Sequence, residues 1–364
     1  MKKTKNSGFT LIELLVVIAL TAVLATIGFV SFGGYRNANH LKDEGNKVVA
    51  VIQNAHDNSV SQLNGAQWGV HFGNGTSSDV YGEFSGSSFA SGTPGPLYGL
   101  GYNLAFGDPA TSSADIVFNP LTGTLPEDQA VTIVPTPGNG MAENIIVNTL
   151  GKITQRFETG LVGYWPLDAG TGVIAYDASG YGNNGTLTNG PTWQSGANCK
   201  VGSCLDFNPS FSNYINIPSN TILNPGSGQF SVVLWFRLDS VGSLTGSILY
   251  NKENLYEASA GGGYFSYAWQ PYWAWTNTFP VSVGQWYQAA VVYDGAKQYV
   301  YENGSLAYSR VQTGSMGSNT NDLRIGARGA PGTASAFFPG EIDDVRIYNR
   351  ALSATEIQDL YNAY

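Results

Sequence analysis

Sulfur and positive charge are scarce in this chain of 364 residues. It contains two cysteines, three histidines, and 17 lysines and arginines against 26 acidic residues, which gives a formal net charge of −9. Because an acidic surface repels phosphate backbones and the chain has no basic tail, we expect no nucleic-acid partner. Two cysteines without a neighbouring histidine cannot complete the four ligands of a structural zinc site.

The two cysteines, Cys199 and Cys204, lie close together in the segment Asn-Cys-Lys-Val-Gly-Ser-Cys. In an exported protein this spacing is typical of a small disulfide loop. Such a bridge would fix the turn between two strands and carry no chemistry of its own. The alternative is a pair of free thiols.

Glycine and aromatic residues are abundant, with 46 glycines, 21 tyrosines and 8 tryptophans. Few charges together with many Gly, Tyr, Thr and Asn residues favour an extracellular, mainly β protein over a helical cytosolic enzyme. The length of the chain suggests two domains beyond any membrane anchor.

One long apolar run, from Phe9 to Phe32, contains Glu13 as its only charged residue. As a helix it would be about 36 Å long, enough to cross a hydrocarbon core of about 30 Å. Lysines precede the run, as is typical of the cytoplasmic side of a membrane segment. The small residue Gly8 comes before the apolar run, whereas an ordinary secretory signal has its small residues after it.

This arrangement resembles the prepilin signal of type IV pilins and type II secretion pseudopilins. The resemblance implies that a prepilin peptidase cleaves after Gly8 and that the new N-terminal residue, Phe9, is N-methylated. It also implies that Glu13 meets the N-terminal amine of a neighbouring subunit during assembly. A carboxylate at bilayer depth costs roughly 2.5–3.5 kcal/mol, so it needs such a partner. An uncleaved signal anchor with a stray acidic residue is the alternative.

Residues 1–8 are therefore expected to form the leader, and residues 9–34 the membrane and filament-core helix. The protein would lie in the bacterial inner membrane as a single-pass subunit before it joins other pilin subunits. The assembly would be a cell-surface pilus or a periplasmic pseudopilus. Removal of the leader lysines would change the net charge from −9 to −12.

Residues 35–157 are expected to form a pilin-like globular domain. From His40 to about Leu63 apolar residues recur at helical spacing, which predicts an amphipathic half-helix lying on a small sheet. The segment Ile116–Gly123 resembles a strand-and-turn step of H-type minor pseudopilins. Residues between about 74 and 112 are predicted as loop, and strands are predicted at 67–72, 114–118, 130–134, 144–148 and 151–154.

Residues 160–364 contain short strands separated by Gly and Asn turns, which predicts a β-sandwich. Phe230–Phe236 is a buried-strand run, and Asn303-Gly304 is a favoured hairpin turn. These segments, with the motif Phe338–Ser353, resemble the laminin-G-like, concanavalin-A-like jelly roll. The expected fold class is therefore mainly β, with a long N-terminal α-helix packed on a small pilin β-sheet, followed by the sandwich.

Calcium is a candidate cofactor with a structural role. Asp177 and the pair Asp343 and Asp344 offer the hard carboxylate oxygens that Ca²⁺ prefers, and carbonyls near Asn183 could add more. Laminin-G-like domains commonly hold a calcium ion between an early loop and a late strand, and this resemblance implies Asp177, Asn183 and Asp343 as ligands. In the alternative, these residues cap turns and Asp343 accepts backbone hydrogen bonds.

Hydrolysis is a second candidate activity, since laminarinase-type glycoside hydrolases share the jelly roll. Their signature, E-x-D-x-x-E, places two carboxylates in the sugar cleft as nucleophile and acid. Glu341 and Asp343 begin that spacing, but the third acidic position is occupied by Arg346. We therefore expect no enzyme activity.

An aromatic run between Tyr264 and Trp275 is a candidate ligand-binding surface. The residues at 265, 267 and 269 alternate, as do Trp273 and Trp275, so each set shares one face of a sheet. Trp269, Trp273 and Trp275 could stack on sugar rings, and the same pattern also serves a sandwich core. A binding surface requires at least one exposed tryptophan.

These features predict a minor type IV pilin or pseudopilin that displays a laminin-G-like module for adhesion to an extracellular glycan or protein. A minor subunit is expected because a module of this size would crowd a filament in which every subunit carried it. The alternative is a structural, assembly-priming subunit whose sandwich binds no ligand.

Overall fold

The computed structural model describes residues 11–75, 78–101, 103–109, 113–243, 246–329 and 333–364. Within residues 11–35 it describes the side chains of Val16 and Ile18. Gly8 and Phe9 lie outside the described residues, as does the side chain of Glu13. In the part of the chain that the structure describes, no helix combines the length and hydropathy of a membrane span. The roles of these three residues stay predictions.

A long helix, α1 (Leu11–Val60), begins the described chain. Its C-terminal half is amphipathic, and Leu41, Val48, Ile52 and Ala55 are completely buried. These side chains pack against two antiparallel sheets, which together with this half of α1 we call the head. Sheet 1 has the order β3-β2-β1-β6 with β4 also paired to β2, and sheet 2 has the order β5-β7-β8-β9. The strands are β1 (Trp68–Gly73), β2 (Val80–Ser85), β3 (Thr93–Pro94), β4 (Tyr98–Gly99), β5 (Leu104–Asp108), β6 (Ala114–Phe118), β7 (Gln129–Pro135), β8 (Met141–Val147) and β9 (Ile153–Thr159).

The prediction of loop between about 74 and 112 is wrong, because this stretch contains β2 and β5. Both strands are short and interrupted by glycine, Gly82 in β2 and Gly107 in β5. The period-two pattern that identifies a strand is therefore too weak to detect in either one. The side chains of Tyr81, Phe84 and Phe106 are nevertheless buried against the rest of the head.

The second part of the chain is a β-sandwich of two antiparallel sheets. Sheet 3 has the order β13-β14-β25-β16-β21-β22-β23 with β10 also paired to β25, and sheet 4 has the order β11-β12-β15-β24-β17-β18-β19-β20. The strands are β10 (Leu161–Trp165), β11 (Ile174–Ala175), β12 (Gly185–Thr188), β13 (Thr192–Ser195), β14 (Ser203–Phe207), β15 (Tyr214–Ile217), β16 (Phe230–Leu238), β17 (Ile248–Lys252), β18 (Tyr256–Ser259), β19 (Tyr264–Trp269), β20 (Tyr272–Pro280), β21 (Trp286–Tyr293), β22 (Lys297–Glu302), β23 (Ser305–Val311), β24 (Leu323–Ile325) and β25 (Gly340–Tyr348).

Side-chain alternation along the strands places the sandwich core between sheets 3 and 4. On β16, Val232, Leu234 and Phe236 point inward and meet aromatic residues of sheet 4. Consecutive strand residues point to opposite faces, so the residues between them lie on the outer face of sheet 3. The predicted mainly β fold with a sandwich is confirmed.

A short helix, α2 (Ala354–Asn362), follows the sandwich and lies on the outer face of sheet 3. Ser353 and Glu356 form a capping box, in which the Ser353 side chain accepts from the Glu356 backbone N–H and Glu356 accepts from the Ser353 backbone N–H. The buried side chains of Ile357 and Leu360 anchor the helix. The capping pair thus fixes where this helix begins, and its apolar side fixes where it docks.

A single residue, Gly160, joins β9 of the head to β10 of the sandwich. Its φ is +71°, a conformation that side chains with a Cβ rarely adopt. A Cβ at this position would lie 2.9 Å from Asn349 Oδ1 and 3.0 Å from Arg350 Cγ. The Asn349 backbone N–H donates to the Gly160 carbonyl at 2.9 Å. Close packing at this glycine holds the head and the sandwich side by side.

Candidate functional site

The two outer faces of the sandwich differ in what covers them. The outer face of sheet 3 is covered by β9 of the head and by α2. The Tyr348 hydroxyl donates to Glu158 Oε2 of β9 at 2.6 Å. The Trp235 ring stacks on the Tyr361 ring of α2 with centroids 5.6 Å apart. This face is therefore occupied by the protein's own residues.

Charged groups at the contact between head and sheet 3 are paired. Glu158, only 4% exposed, contacts Arg156 and lies 3.7 Å from Arg346 Nε. Burial opposes ionisation of Glu158, but the guanidinium groups of Arg156 and Arg346 outweigh it and lower the pKa of this carboxyl. Arg346 also pairs with Asp344. The contact is thus built on buried ions that neutralise one another.

The outer face of sheet 4 carries polar side chains instead. In the register of the sheet, Asn251 lies opposite Glu257 and Arg324. Asn251 and Glu257 alternate with tyrosines that enter the core, so they lie on the outer face. The Asn251 amide donates to Glu257 Oε2 at 2.9 Å, and Arg328 Nη2 lies 3.3 Å from Glu257 Oε1.

Glu257 is the most deeply buried acid of this outer face, with no exposed area. Burial raises its pKa to about 7, against the opposing effect of the Arg328 guanidinium and with a further increase from Glu253. A carboxyl that titrates near neutrality beside an amide and a guanidinium offers donors and acceptors in one small area. Asn251 and Glu257 are both completely buried, so of this set only the Arg328 guanidinium, which is 26% exposed, can reach a ligand.

The three predicted tryptophans do not share one environment. Trp269 is completely buried in the core, where its ring packs 5.9 Å from the rings of Phe230 and Tyr256. The structure therefore removes Trp269 from the ligand-binding set, because no ligand can reach its ring without opening the core. The residues at 265 and 267 are buried in the same core.

Trp273 and Trp275 are both partly exposed on β20, the edge strand of sheet 4. Thr276 pairs with Tyr267, whose side chain enters the core, so Trp275 points to the outer face. Tyr272 pairs with Trp269, which also enters the core, so Trp273 points to the outer face as well. We call the outer face of sheet 4 defined by Asn251, Glu257, Arg328, Trp273 and Trp275 the polar face.

The predicted calcium ligands Asp177 and Asn183 are committed to the backbone. Asp177 Oδ1 accepts from the N–H groups of Tyr164 and Ser179, each at 2.9 Å. Asp177 Oδ2 accepts from the Asn183 N–H at 2.8 Å, and the Asn183 amide donates to the Val162 carbonyl at 2.9 Å. These two residues therefore cap a turn, as the alternative interpretation stated, and their role as metal ligands stays a prediction.

The disulfide between Cys199 and Cys204 is formed, with Cα atoms 5.4 Å apart. It encloses a turn whose N–H groups bind two carboxylates. Asp343 Oδ2 accepts from the N–H groups of Lys200 and Val201, each at 3.0 Å, and Asp168 Oδ1 accepts from Ser203 at 2.8 Å. The bridge thus positions a turn that holds acidic side chains. Asp343 therefore accepts backbone hydrogen bonds, as the alternative interpretation stated.

A separate group of carboxylates lies where the neighbouring strands β14, β25 and β16 of sheet 3 meet. In the described residues, Asp206, Asp239 and Glu341 have oxygens within 4.8 Å of one another. Arg237 binds Glu341 through two hydrogen bonds, of 2.9 Å from Nε and 2.5 Å from Nη2. This group therefore already has a counter-charge.

Sequence reasoning missed the acids Glu257, Asp168 and Asp108. Glu257 lies between Tyr256 and Ala258 in a strand with strict alternation, and that pattern could have marked it as facing away from the core. Asp168 follows the Trp-Pro-Leu run without any spacing that indicates a partner. Asp108 lies in the stretch predicted as loop, so nothing in the sequence relates it to β25.

Comparison with known proteins supports the two-part construction. Residues 3–29 match the prokaryotic N-terminal methylation motif, and residues 209–358 match the concanavalin A-like lectin/glucanases superfamily. The chain therefore joins a prepilin-type N-terminal signal to a concanavalin A-like domain, as the sequence predicted. It is also 37% identical over 60 residues to the type II secretion system protein H of Aeromonas hydrophila. That match covers 16% of this chain and 33% of the relative's length.

Two solved structures illustrate the similarity of the sandwich. Domain 4 of an extracellular arabinanase from Geobacillus stearothermophilus, in complex with arabinotriose, is 23% identical, with a TM-score of 0.43. The match covers 55% of this chain and 98% of that chain. The binding domain of Paraclostridial Mosquitocidal Protein 1 is 16% identical, with a TM-score of 0.47, and the match covers 56% and 52% of the two chains.

Proposed function

We propose that this chain is a minor subunit of a type IV pilus or a type II secretion pseudopilus that displays a glycan-binding sandwich. The N-terminal methylation motif and the similarity to a type II secretion protein H support the filament part. On this proposal the prepilin peptidase processes the chain at Gly8. Its other partners are neighbouring pilin subunits, which it joins from the inner membrane.

The proposal that the sandwich binds a glycan rests on the difference between the two outer faces of the sandwich. The face of sheet 3 is covered by the head and α2, whereas the polar face presents partly exposed Trp273 and Trp275. A module attached through one face presents the opposite face to the surroundings. The polar face is therefore the proposed binding surface.

The chemistry of the polar face favours a glycan over an apolar peptide. Flat indole rings stack on the C–H faces of sugars, and the partly exposed Arg328 guanidinium can donate hydrogen bonds to hydroxyl groups. Glu341 and Asp343 lie on the other sheet, and Arg346 occupies the third acidic position of the hydrolase spacing. We therefore propose adhesion by binding and assign no hydrolytic step.

A glycan array probed with the full chain in detergent micelles, with calcium and with a chelator, tests the binding part. We expect one class of glycan to bind the native chain, and Trp275→Ala to weaken binding at least tenfold. Phe211→Ala is the matched control, because Phe211 is 67% exposed on a separate turn and we expect no effect. Absence of binding in both conditions would favour the assembly-priming alternative. Binding that Trp275→Ala leaves intact would exclude the polar face.

Mass spectrometry of the chain from native cells tests the filament part independently. We expect a mature chain that begins at N-methylated Phe9. If residues 1–8 were still attached, the sandwich would be a tethered surface domain outside any filament.

A further inference from the structure

Two edge strands, β20 of sheet 4 and β23 of sheet 3, contact each other at one side of the sandwich. On β23, Arg310 lies opposite Gln298 of β22 in the register of sheet 3. Val300, two residues after Gln298 on β22, enters the core, so Gln298 and Arg310 also point between the sheets. The Arg310 guanidinium therefore lies between the two sheets, at their common edge.

Arg310 has hydrogen-bond partners but no counter-charge. Its Nε donates to Gln298 Oε1 at 2.8 Å, and its Nη1 donates to Thr276 Oγ1 at 3.1 Å. Its Nη2 is buried, and no described residue accepts a hydrogen bond from it. No carboxylate among the described residues lies within ion-pair distance of this guanidinium. Several other arginines do contact a carboxylate, namely Arg156, Arg237, Arg328, Arg346 and Arg350. Because buried charges are normally paired, the partner that Arg310 lacks is an anion.

Two tyrosine rings lie against the Arg310 guanidinium, and they differ in how they are held. The Arg310 Cζ lies 5.3 Å from the centroid of the Tyr267 ring and 4.9 Å from that of the Tyr272 ring. Tyr267 is completely buried, and its hydroxyl donates to Gln298 Oε1 at 3.1 Å. Tyr272 is 53% exposed, and its hydroxyl makes no hydrogen bond to any described residue. Tyr272 can therefore rotate into solvent and uncover the guanidinium, whereas Tyr267 is fixed in the core.

We propose that Arg310 binds the carboxylate of an acidic sugar residue when the Tyr272 ring rotates away from the guanidinium. A guanidinium donates side by side to the two oxygens of a carboxylate, and Nη2 has no competing acceptor. The Tyr272 ring and the partly exposed Tyr308 ring, which packs against the core, offer flat surfaces for the C–H face of a sugar. We call Arg310, Tyr272 and Tyr308 the edge site.

The edge site and the polar face share strand β20. Tyr272 points between the sheets, whereas Trp273 and Trp275 point to the outer face of sheet 4. A polysaccharide that crosses this strand therefore meets aromatic rings on both sides of it. This continuity favours a glycan over an acidic peptide, and in taking a glycan as the ligand the inference rests on the proposed function. It adds the chemical class of that glycan, which carries uronic acid residues.

Calorimetric titration of the full chain in detergent micelles with tetrasaccharides of galacturonate and of glucuronate tests the edge site. The methyl ester of each is the matched ligand, because it keeps the rings and linkages and loses the negative charge. We expect the native chain to bind at least one acid at least tenfold more tightly than its ester. Arg310→Gln should remove that preference. Lys297→Gln is the matched control and should keep it, because Lys297 is an exposed cation beside Gln298 on β22.

The comparison of acid with ester uses the native chain, so it stays informative even if circular dichroism shows that Arg310→Gln is unfolded. If the native chain binds neither acid better than its ester, the edge site is wrong. A neutral glycan whose binding Trp275→Ala weakens would still support the polar face. A preference for the acid that folded Arg310→Gln retains would place the carboxylate elsewhere. An aspartate tetrapeptide that binds through Arg310 as tightly as the sugar acid would overturn the assignment to a glycan.

Discussion

The outer faces of sheets 3 and 4 are built by the same alternation of side chains, but they differ in what covers them. On sheet 3 the outward residues include Trp235, Arg346 and Tyr348, which pack against α2 and the head. On sheet 4 they include Asn251 and Glu257, which are buried and hydrogen-bonded to each other, and Trp275, which is partly exposed. On the function proposed above, the sandwich is attached through one face and uses the other for recognition.

Buried acids show the same contrast. Glu158 on the attached side is surrounded by guanidinium groups, and its pKa is lowered. Glu257 on the polar face has one guanidinium and a neighbouring carboxylate, and its pKa is raised to about 7. The acid on the attached side is therefore stabilised as a charge by its neighbours, whereas burial of the acid on the polar face opposes its ionisation.

The largest effect is expected from Arg346→Met, which removes the cation shared by Asp344 and Glu158. Leaving buried charges without a partner costs about 3–5 kcal/mol of unfolding free energy. Lys47→Met is the matched control, because Lys47 is 62% exposed and we expect its ion pair with Glu44 to contribute about 1 kcal/mol or less. Urea denaturation of both variants measures the difference. Equal losses would mean that the attached face does not depend on its buried ions.

The second effect concerns pH and the polar face. Because the folded state raises the pKa of Glu257 from 4.5 to about 7, the folded protein holds this proton more tightly than the unfolded chain. Stability from this group is therefore highest below pH 4.5 and falls as the pH rises toward 7 and above, by about 3 kcal/mol. Glu257→Gln should remove that part of the pH dependence when unfolding free energies at pH 5 and pH 8 are compared. An unchanged pH dependence would contradict the raised pKa.

The pH dependence of stability that Glu158 contributes has the opposite sign to that of Glu257. Its lowered pKa means that its contribution is present above the unfolded value of 4.5 and is lost as the pH falls through the folded value. Glu158→Gln should therefore reduce the loss of stability on acidification, in contrast to Glu257→Gln. The same denaturation series measures both variants.

The smallest effect is expected at the link between head and sandwich. Gly160→Ala forces a side chain into a positive φ, which costs roughly 1–2 kcal/mol, and its Cβ would also crowd Asn349 and Arg350. Gly172→Ala is the matched control, because Gly172 has φ +88° and a Cβ added there would meet no other atom within 4 Å. Thermal unfolding should show a larger decrease for Gly160→Ala. Equal decreases would mean that close packing at the link contributes nothing.

The sequence predicted the regular parts of this molecule because they depend on local patterns. Strand β6 coincides with the predicted 114–118, and the Asn303-Gly304 turn joins β22 to β23 as expected. The disulfide was indicated by the short spacing of its two cysteines. Each of these features is determined by a few consecutive residues.

The candidate sites could be predicted only in part, because they depend on which groups meet in space. Alternation grouped the aromatic residues correctly, but it could not tell that Trp269 enters the core while Trp275 faces outward. The carboxylate of Asp177 was recognised as a possible ligand, yet its saturation by backbone N–H groups requires the fold. Asp108 and Asp168 are brought together by the docking of two parts that are separate in the sequence.

Hydroxyl-radical footprinting of the full chain, with and without the best glycan from the array, tests most directly whether one face is attached and the other free. We predict oxidation of Trp273 and Trp275, protection of both by the glycan, and little oxidation of Trp235 or Tyr348 in either condition. Oxidation of Trp235 and Tyr348 at the rate of Trp275 would contradict the account, because the face of sheet 3 would then be open to solvent.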